Sequence, residues 1–127
     1  MRKIAFVTSR RVLAQSLADA VRARPELDLD PHPLLDPEQA SLDAEVLGIQ
    51  AAVIDAEDGS GDGIPAALAL CARMRTAAPD CRLILLMAHA HQENRDRAIQ
   101  AQRHGDIDDF VYEDASVDYL FAKIAAM

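Results

Sequence analysis

Residues 50–63 read Gln-Ala-Ala-Val-Ile-Asp-Ala-Glu-Asp-Gly-Ser-Gly-Asp-Gly. Ala51, Ala52, Val53 and Ile54 are apolar at every position, end on Asp55, and give way to small and acidic residues before a periodic segment begins at Ile64. A short run without alternation marks a strand covered on both faces, and such strands belong to parallel sheets layered between helices. In the open, doubly wound sheets, ligands and chemistry collect beyond the C-terminal ends of the strands, where the strand order reverses. Asp55 stands at such an end.

The rest of the chain repeats the pattern. Residues 4–7 are apolar and stop at Thr8 and Ser9, and residues 10–24 carry Leu13, Leu17, Ala20 and Val21 at helical spacing until Pro25. Residues 27–35 are a weaker strand holding Pro31 and Pro33, which cannot donate to a ladder, so this strand belongs at a sheet edge. Asp36, Pro37 and Gln39 offer a cap, a first-position proline and a capping-box partner ahead of Leu42, Val46 and Leu47, and Gly48 suits the stop. A third helix is predicted over residues 64–78, with Leu68, Leu70, Cys71 and Met74 inward and Pro79 at its end. Residues 83–87, five large apolar side chains in a row, read as a central strand. The polar helix over 92–104 has only Ala98, Ile99 and Ala101 to bury, which predicts the least firmly docked helix, closed by Gly105. Residues 107–112 form strand five, and Ser116 caps a last helix in which Leu120, Ile124 and Met127 make the core stripe. Five strands alternating with five helices predict one domain over 1–127, an α/β sheet of order 2-1-3-4-5 with helices on both faces.

Composition narrows the function classes. A formal net charge of −8 opposes counterion release onto a polyanion, so this domain is not expected to bind nucleic acid directly. No run approaches the roughly 20 apolar residues of a membrane span, and Met1 leads into a strand pattern without a secretory signal. A cytoplasmic protein is expected. Cys71 and Cys81 match no metal spacing and read as small hydrophobes.

With these elements in place the chain resembles a bacterial response-regulator receiver (CheY-like) domain, from Lys3 to about Ile124. In that family Asp-Gly follows the phosphoacceptor aspartate by seven and eight residues and begins the third helix; here Asp55 is followed by Asp62 and Gly63 without a gap. The stretch Gly105-Asp106-Ile107-Asp108-Asp109-Phe110 is similar to the family's approach to strand five, and Phe110 falls at its switch aromatic. The resemblance implies a flavodoxin-like fold, with Asp55 as the phosphoacceptor equivalent.

The family's other site residues are replaced. The acidic pair that would hold magnesium aligns with Thr8 and Ser9, the hydroxyl residue ending strand four with Ala88, and the lysine ending strand five with Glu113. Phosphoryl transfer to a carboxylate brings negative charge onto negative charge, and magnesium neutralises it. Neutral hydroxyls hold magnesium weakly, and an inward Glu113 adds repulsion. Losing one oriented donor to a developing charge typically costs ~3 kcal/mol, so ordinary phosphorylation is not expected, no cofactor is assigned, and magnesium binding is in doubt. Arg10 and Arg11 follow strand one, and His89 follows strand four. One reading makes an arginine of the pair a permanent counter-charge in place of the metal; the other leaves both solvated at a helix start.

Other features carry less. The glycine-rich stretch 58–63 lacks a lysine and phosphate-loop spacing and reads as a loop with a helix cap. His89, His91 and Glu93 form only a weak metal pattern. Tyr119 and Phe121 flank the core stripe of the last helix, and burying both is difficult, so part of that face is expected at an interface. The resemblance points to the same region, through helices four and five with strand five, or through helices one and five. The expected function is that of an atypical, pseudo-receiver module in signal transduction or transcriptional regulation. It would act by protein–protein contact, as a homodimer or with a C-terminal effector domain, and without enzymatic activity. Two alternatives remain open: a phosphorylatable Asp55 with Glu57, Asp58 or Asp62 as substitute metal ligands, and a small-molecule-binding crevice of the flavodoxin-like kind.

Overall fold

The computed structural model describes residues 1–57, 63–88 and 92–127. The elements run β1 (Arg2–Val7), α1 (Arg11–Arg22), β2 (Leu29–Leu34), α2 (Ala40–Leu47), β3 (Ala51–Asp55), α3 (Ile64–Ala77), β4 (Arg82–Met87), α4 (Gln92–Arg103), β5 (Asp109–Tyr112) and α5 (Val117–Ala125). All strand pairings are parallel, in the order β2-β1-β3-β4-β5. This is the flavodoxin-like order expected from the sequence.

The apolar runs divide between two cores, because successive side chains of a strand point to opposite faces. Ile4, Phe6, Ala51, Val53, Ile84, Leu86 and Val111 pack with Leu17 and Val21 of α1 and Leu120, Phe121 and Ile124 of α5. Ala5, Val7, Ala52, Ile54, Leu83, Leu85 and Met87 pack on the other side with buried residues of α2, α3 and α4. Pro31 and Pro33, two residues apart, place their missing donors on one side of β2, and an edge strand has one side without a ladder. The β1/β3 boundary is the switch point: β2 lies to one side of β1, whereas β3, β4 and β5 follow on the other.

Several local expectations are corrected. Helix α1 ends at Arg22, and Pro25 opens a 3₁₀ turn, Pro25–Leu27, before β2. Asp36 does not cap α2; its carboxylate accepts from Glu38 N at 3.0 Å in a turn, and the helix starts at Ala40. That shift turns Ala40 and Ala44 inward, leaves Leu47 half-buried, and exposes Leu42 and Val46. Gly48 does close α2 in the left-handed region, at φ 70°. In α5, Ser116 Oγ accepts from Tyr119 N at 3.1 Å, as its cap position requires. Phe121 is core at 2% exposure, with the Arg24 guanidinium 5.2 Å from its ring centroid, so it cannot serve as a surface residue. Tyr119 alone of the pair is exposed, with Lys123 Nζ over its ring. Helix α4 buries only Ala98 and Ala101, with Ile99 half-buried.

Candidate functional site

The site forms where β1, β3, β4 and β5 end. Thr8, one residue past β1, is buried at the switch point, and its backbone N donates to Leu34 O at 3.2 Å. Asp55 is the last residue of β3, in register with Leu86 of β4, and its side chain is 2% exposed. Burying a carboxylate is costly unless it is paired and hydrogen-bonded. Here it is both.

Arg10 immediately precedes α1 with an extended backbone (φ −78°, ψ 94°), which lets its side chain turn back over the sheet. Its Nε donates to Asp55 Oδ2 at 2.8 Å and its Nη2 to Oδ1 at 2.8 Å, the two-pronged geometry by which a guanidinium matches a carboxylate. Nη1 donates to Glu113 Oε1 at 2.8 Å. One arginine from the end of β1 thus joins the end of β3 to the residue after β5. The two carboxylates, with the Asp55 bond the larger influence, hold the guanidinium above its already high range despite partial burial.

Thr8 Oγ1 donates to Asp55 Oδ2 at 2.6 Å while accepting from Arg10 N at 3.0 Å, so one hydroxyl orients both partners. Glu57 N donates to Asp55 Oδ1 at 2.9 Å. Asp55 therefore accepts four hydrogen bonds from the described residues, as many as an ionised carboxylate has lone-pair sites.

The remaining positions fall around this centre. Ser9 is exposed just beyond Thr8, and Arg11 is exposed as the first helical residue, turned away from Asp55 by one step of the helix. Glu113 N donates to Met87 O at 2.8 Å, which fixes it beside the end of β4, and its side chain remains 36% exposed. Ala88 offers no hydroxyl; its backbone N donates to Glu57 Oε1 at 3.2 Å. Phe110 is half-buried against the α2–α4 core, edge-on to Tyr112 with ring centroids 6.0 Å apart. Asp58, Asp62, His89 and His91 lie outside the described residues, and with them most of the 58–63 loop and of the possible histidine metal pattern.

The described residues do not fit the magnesium ion that a receiver site implies. A dication needs carboxylate oxygens with free lone pairs, and both oxygens of Asp55 face a guanidinium at 2.8 Å. Beside the site, between α3 and the turn before α2, a crevice of about 240 Å³ is lined by Val7, Glu38, Ile54, Asp55, Leu70 and Arg73. That is below the ~300 Å³ at which ligand pockets usually begin.

Sequence reasoning named Glu57 only as a substitute metal ligand, not as a bond between two loops. The Ala88 contact depends on the β3/β4 register, Asp55 opposite Leu86, which no local motif specifies.

No family model matches the chain, and no curated protein matches it. Solved structures do. A CheY-like receiver domain protein of Methanospirillum hungatei superposes with a TM-score of 0.79 at 13% identity, over 99% of this chain and 92% of that one. The receiver domain of a Francisella response regulator gives 0.77 at 21% identity, over 99% and 95%. A response regulator of Burkholderia pseudomallei, solved with a phosphorylated aspartic acid, a calcium ion and citrate, gives 0.74 at 20% identity, over 99% and 72%. The chain has the response-regulator receiver, CheY-like fold. Among the described residues no helix is long and apolar enough to cross a membrane.

Proposed function

We propose that this domain is an atypical receiver of two-component type, in which the phosphoacceptor position is held permanently by an arginine and signalling proceeds by protein contact. The observation that carries this reading is the paired grip of Arg10 on Asp55, completed by Thr8 Oγ1 and Glu57 N. A nucleophilic carboxylate needs a lone pair free toward the incoming phosphorus and a cation to absorb the added charge. Arg10 supplies the positive charge but occupies the oxygens, and Glu113 leaves the trio with a net negative charge.

The module would act as a fixed surface, without enzymatic activity, in signal transduction or transcriptional regulation. Its partner would be a second copy or an effector domain. The contact region proposed is α5 with α4 and β5, or α5 with α1, where Val117 and Tyr119 are exposed. Phe110 at the switch position would then be static, because Asp55 is engaged without a phosphoryl group. The test is a titration of purified protein with magnesium, followed by NMR of the Arg10 Nε–H and the Glu57 amide. Both signals stay unmoved at millimolar magnesium if the grip is permanent; saturable shifts at these two groups would overturn the reading.

A further inference from the structure

From Pro33 to Ala72 the sequence carries acids at intervals but no lysine, arginine or histidine. Helix α2 lies wholly inside this stretch. Ala40 and Ala44 are its fully buried residues, so the helix rests on the core through methyl groups. At 3.6 residues per turn, Leu42 and Val46 fall on the opposite side, with Asp43 and Glu45 roughly 80° to either side of that apolar pair. Exposure agrees with the spacing: Leu42 is 55% and Val46 74% exposed, and Leu35, just after β2, adds a third exposed apolar residue. Asp36 and Glu38 lead into the helix. Among the described residues, none of these four acids forms an ion pair. The cations that approach come from other elements: Lys3 Nζ donates to Leu47 O at 2.8 Å, and Arg73 lines one crevice with Glu38.

We propose that the outer face of α2 is a docking surface for a helix of a partner protein, one with apolar side chains along one side and lysine or arginine flanking them. Two apolar residues one turn apart supply the i and i+4 anchors of helix-to-helix packing. Single apolar residues scattered on a surface are ordinary; here a paired stripe has charge of one sign on both flanks. That sign selects the partner, because a basic helix meets opposite charge on either side of its apolar contact. A second copy of α2 would set Asp43 and Glu45 against the same acids, and an anionic lipid surface or a nucleic acid would also meet like charge. Helix α2 packs in the core opposite that of α1 and α5, so this surface is distinct from the one holding Val117 and Tyr119. The inference holds whether or not Asp55 is gripped by Arg10.

The probe is a synthetic leucine–lysine peptide about four turns long with its leucines on one helical side, and the control is a scrambled peptide of the same composition. Each is titrated into the full chain at about 0.1 M salt while backbone amide shifts are followed by NMR. The amphipathic peptide should give saturable shifts at Leu42, Asp43, Glu45 and Val46, with an affinity about tenfold or more above that of the scrambled one. A Leu42→Ser, Val46→Ser variant should weaken binding about tenfold or more, and an Asp43→Asn, Glu45→Gln variant should lose most of the salt dependence. All four side chains are exposed or half-buried, so both variants should fold, which far-UV circular dichroism checks. The inference is overturned if the scrambled peptide binds as tightly, if either variant behaves as wild type, or if no shift occurs at millimolar peptide. Shifts as large around the exposed acids Asp80, Asp114 and Asp118 as on α2 overturn it too. So would Leu42 and Val46 signals that move with protein concentration before any peptide is added, since they would assign the face to a second copy.

Discussion

Removing Arg10 should leave a buried, under-compensated charge, and the size of the effect can be worked from its contacts. Arg10→Ala takes away two of the four hydrogen bonds to Asp55, leaving Thr8 Oγ1 and Glu57 N. A hydrogen bond to a charged group contributes a net ~1.5–3 kcal/mol, so two set an upper bound of about 3–6 kcal/mol. The Arg10 side chain is 32% exposed, and truncation admits water to Asp55, which offsets roughly half. The expected loss is about 1.5–3 kcal/mol, or roughly 6–11 °C in Tm for a domain of this size. The chain has no tryptophan, so urea unfolding followed by far-UV circular dichroism is the suitable assay. The same substitution in an Asp55→Asn background should cost under about 1 kcal/mol, because a neutral amide needs no counter-charge, giving a coupling of at least about 0.5–2 kcal/mol. Equal losses in the two backgrounds, or a loss under about 0.5 kcal/mol for Arg10→Ala alone, would refute the claim that Asp55 depends on Arg10.

Other outcomes follow from the same structure. Glu113→Gln removes the charge from only the exposed arm of the network, while its amide oxygen still accepts, and should change stability by less than about 1 kcal/mol in the same urea assay. At the opposite end of the sheet, Asp108 Oδ2 accepts from Leu83 N at 2.8 Å and Arg75 Nη2 at 3.0 Å; Asp108→Ala should cost about 2–3 kcal/mol while leaving the Arg10 Nε–H resonance in place. Burial pushes the Cys71 thiol up to about 12 and Cys81 up to about 11, from an ordinary 9.0, with Arg75 opposing in part. The folded chain then holds more thiol protons than the unfolded one above pH 9, so this contribution is complete below pH 9 and is lost as pH rises through the folded values. Urea midpoints taken from neutral to alkaline pH should decline more gently in a Cys71→Ala, Cys81→Ala variant, and a thiol reagent should label the wild type only on unfolding.

The fold was legible because its signals are redundant. Every central strand is apolar on both faces, each of the first four helices is followed by a proline or glycine stop, and the prolines of β2 admit only an edge. What failed was local and has a common cause. The sequence around Asp36 satisfies a capping pattern, yet the same carboxylate closes a tighter turn with Glu38, and the helix begins later with alanines inward. Leu42 and Val46 are larger, but the α2 face that packs on the sheet side is the one occupied by Ala40 and Ala44. In α5, Phe121 reaches the core beneath Arg24, whereas Tyr119 stays outside, a division that helical spacing alone leaves open.

At the site, spacing brought forward Asp55, and alignment by apolar runs brought forward Thr8, Ala88 and Glu113. Composition could not choose between Arg10 and Arg11. The choice depends on backbone: Arg10 is extended ahead of the helix, and Arg11 is already in it. Thr8 looked like a lost metal ligand, and its hydroxyl instead orders the arginine and the aspartate together. The bond from Ala88 to Glu57 depends on strand register and on a loop, neither of which leaves a motif.

The most direct test of the central claim is the intact mass of the protein after incubation with magnesium and a small phosphodonor such as acetyl phosphate. A carboxylate held on both oxygens by Arg10 should take up no phosphoryl group, and the mass should match that of the untreated chain. A hydroxylamine-sensitive adduct of one phosphoryl group, absent from Asp55→Asn, would contradict it.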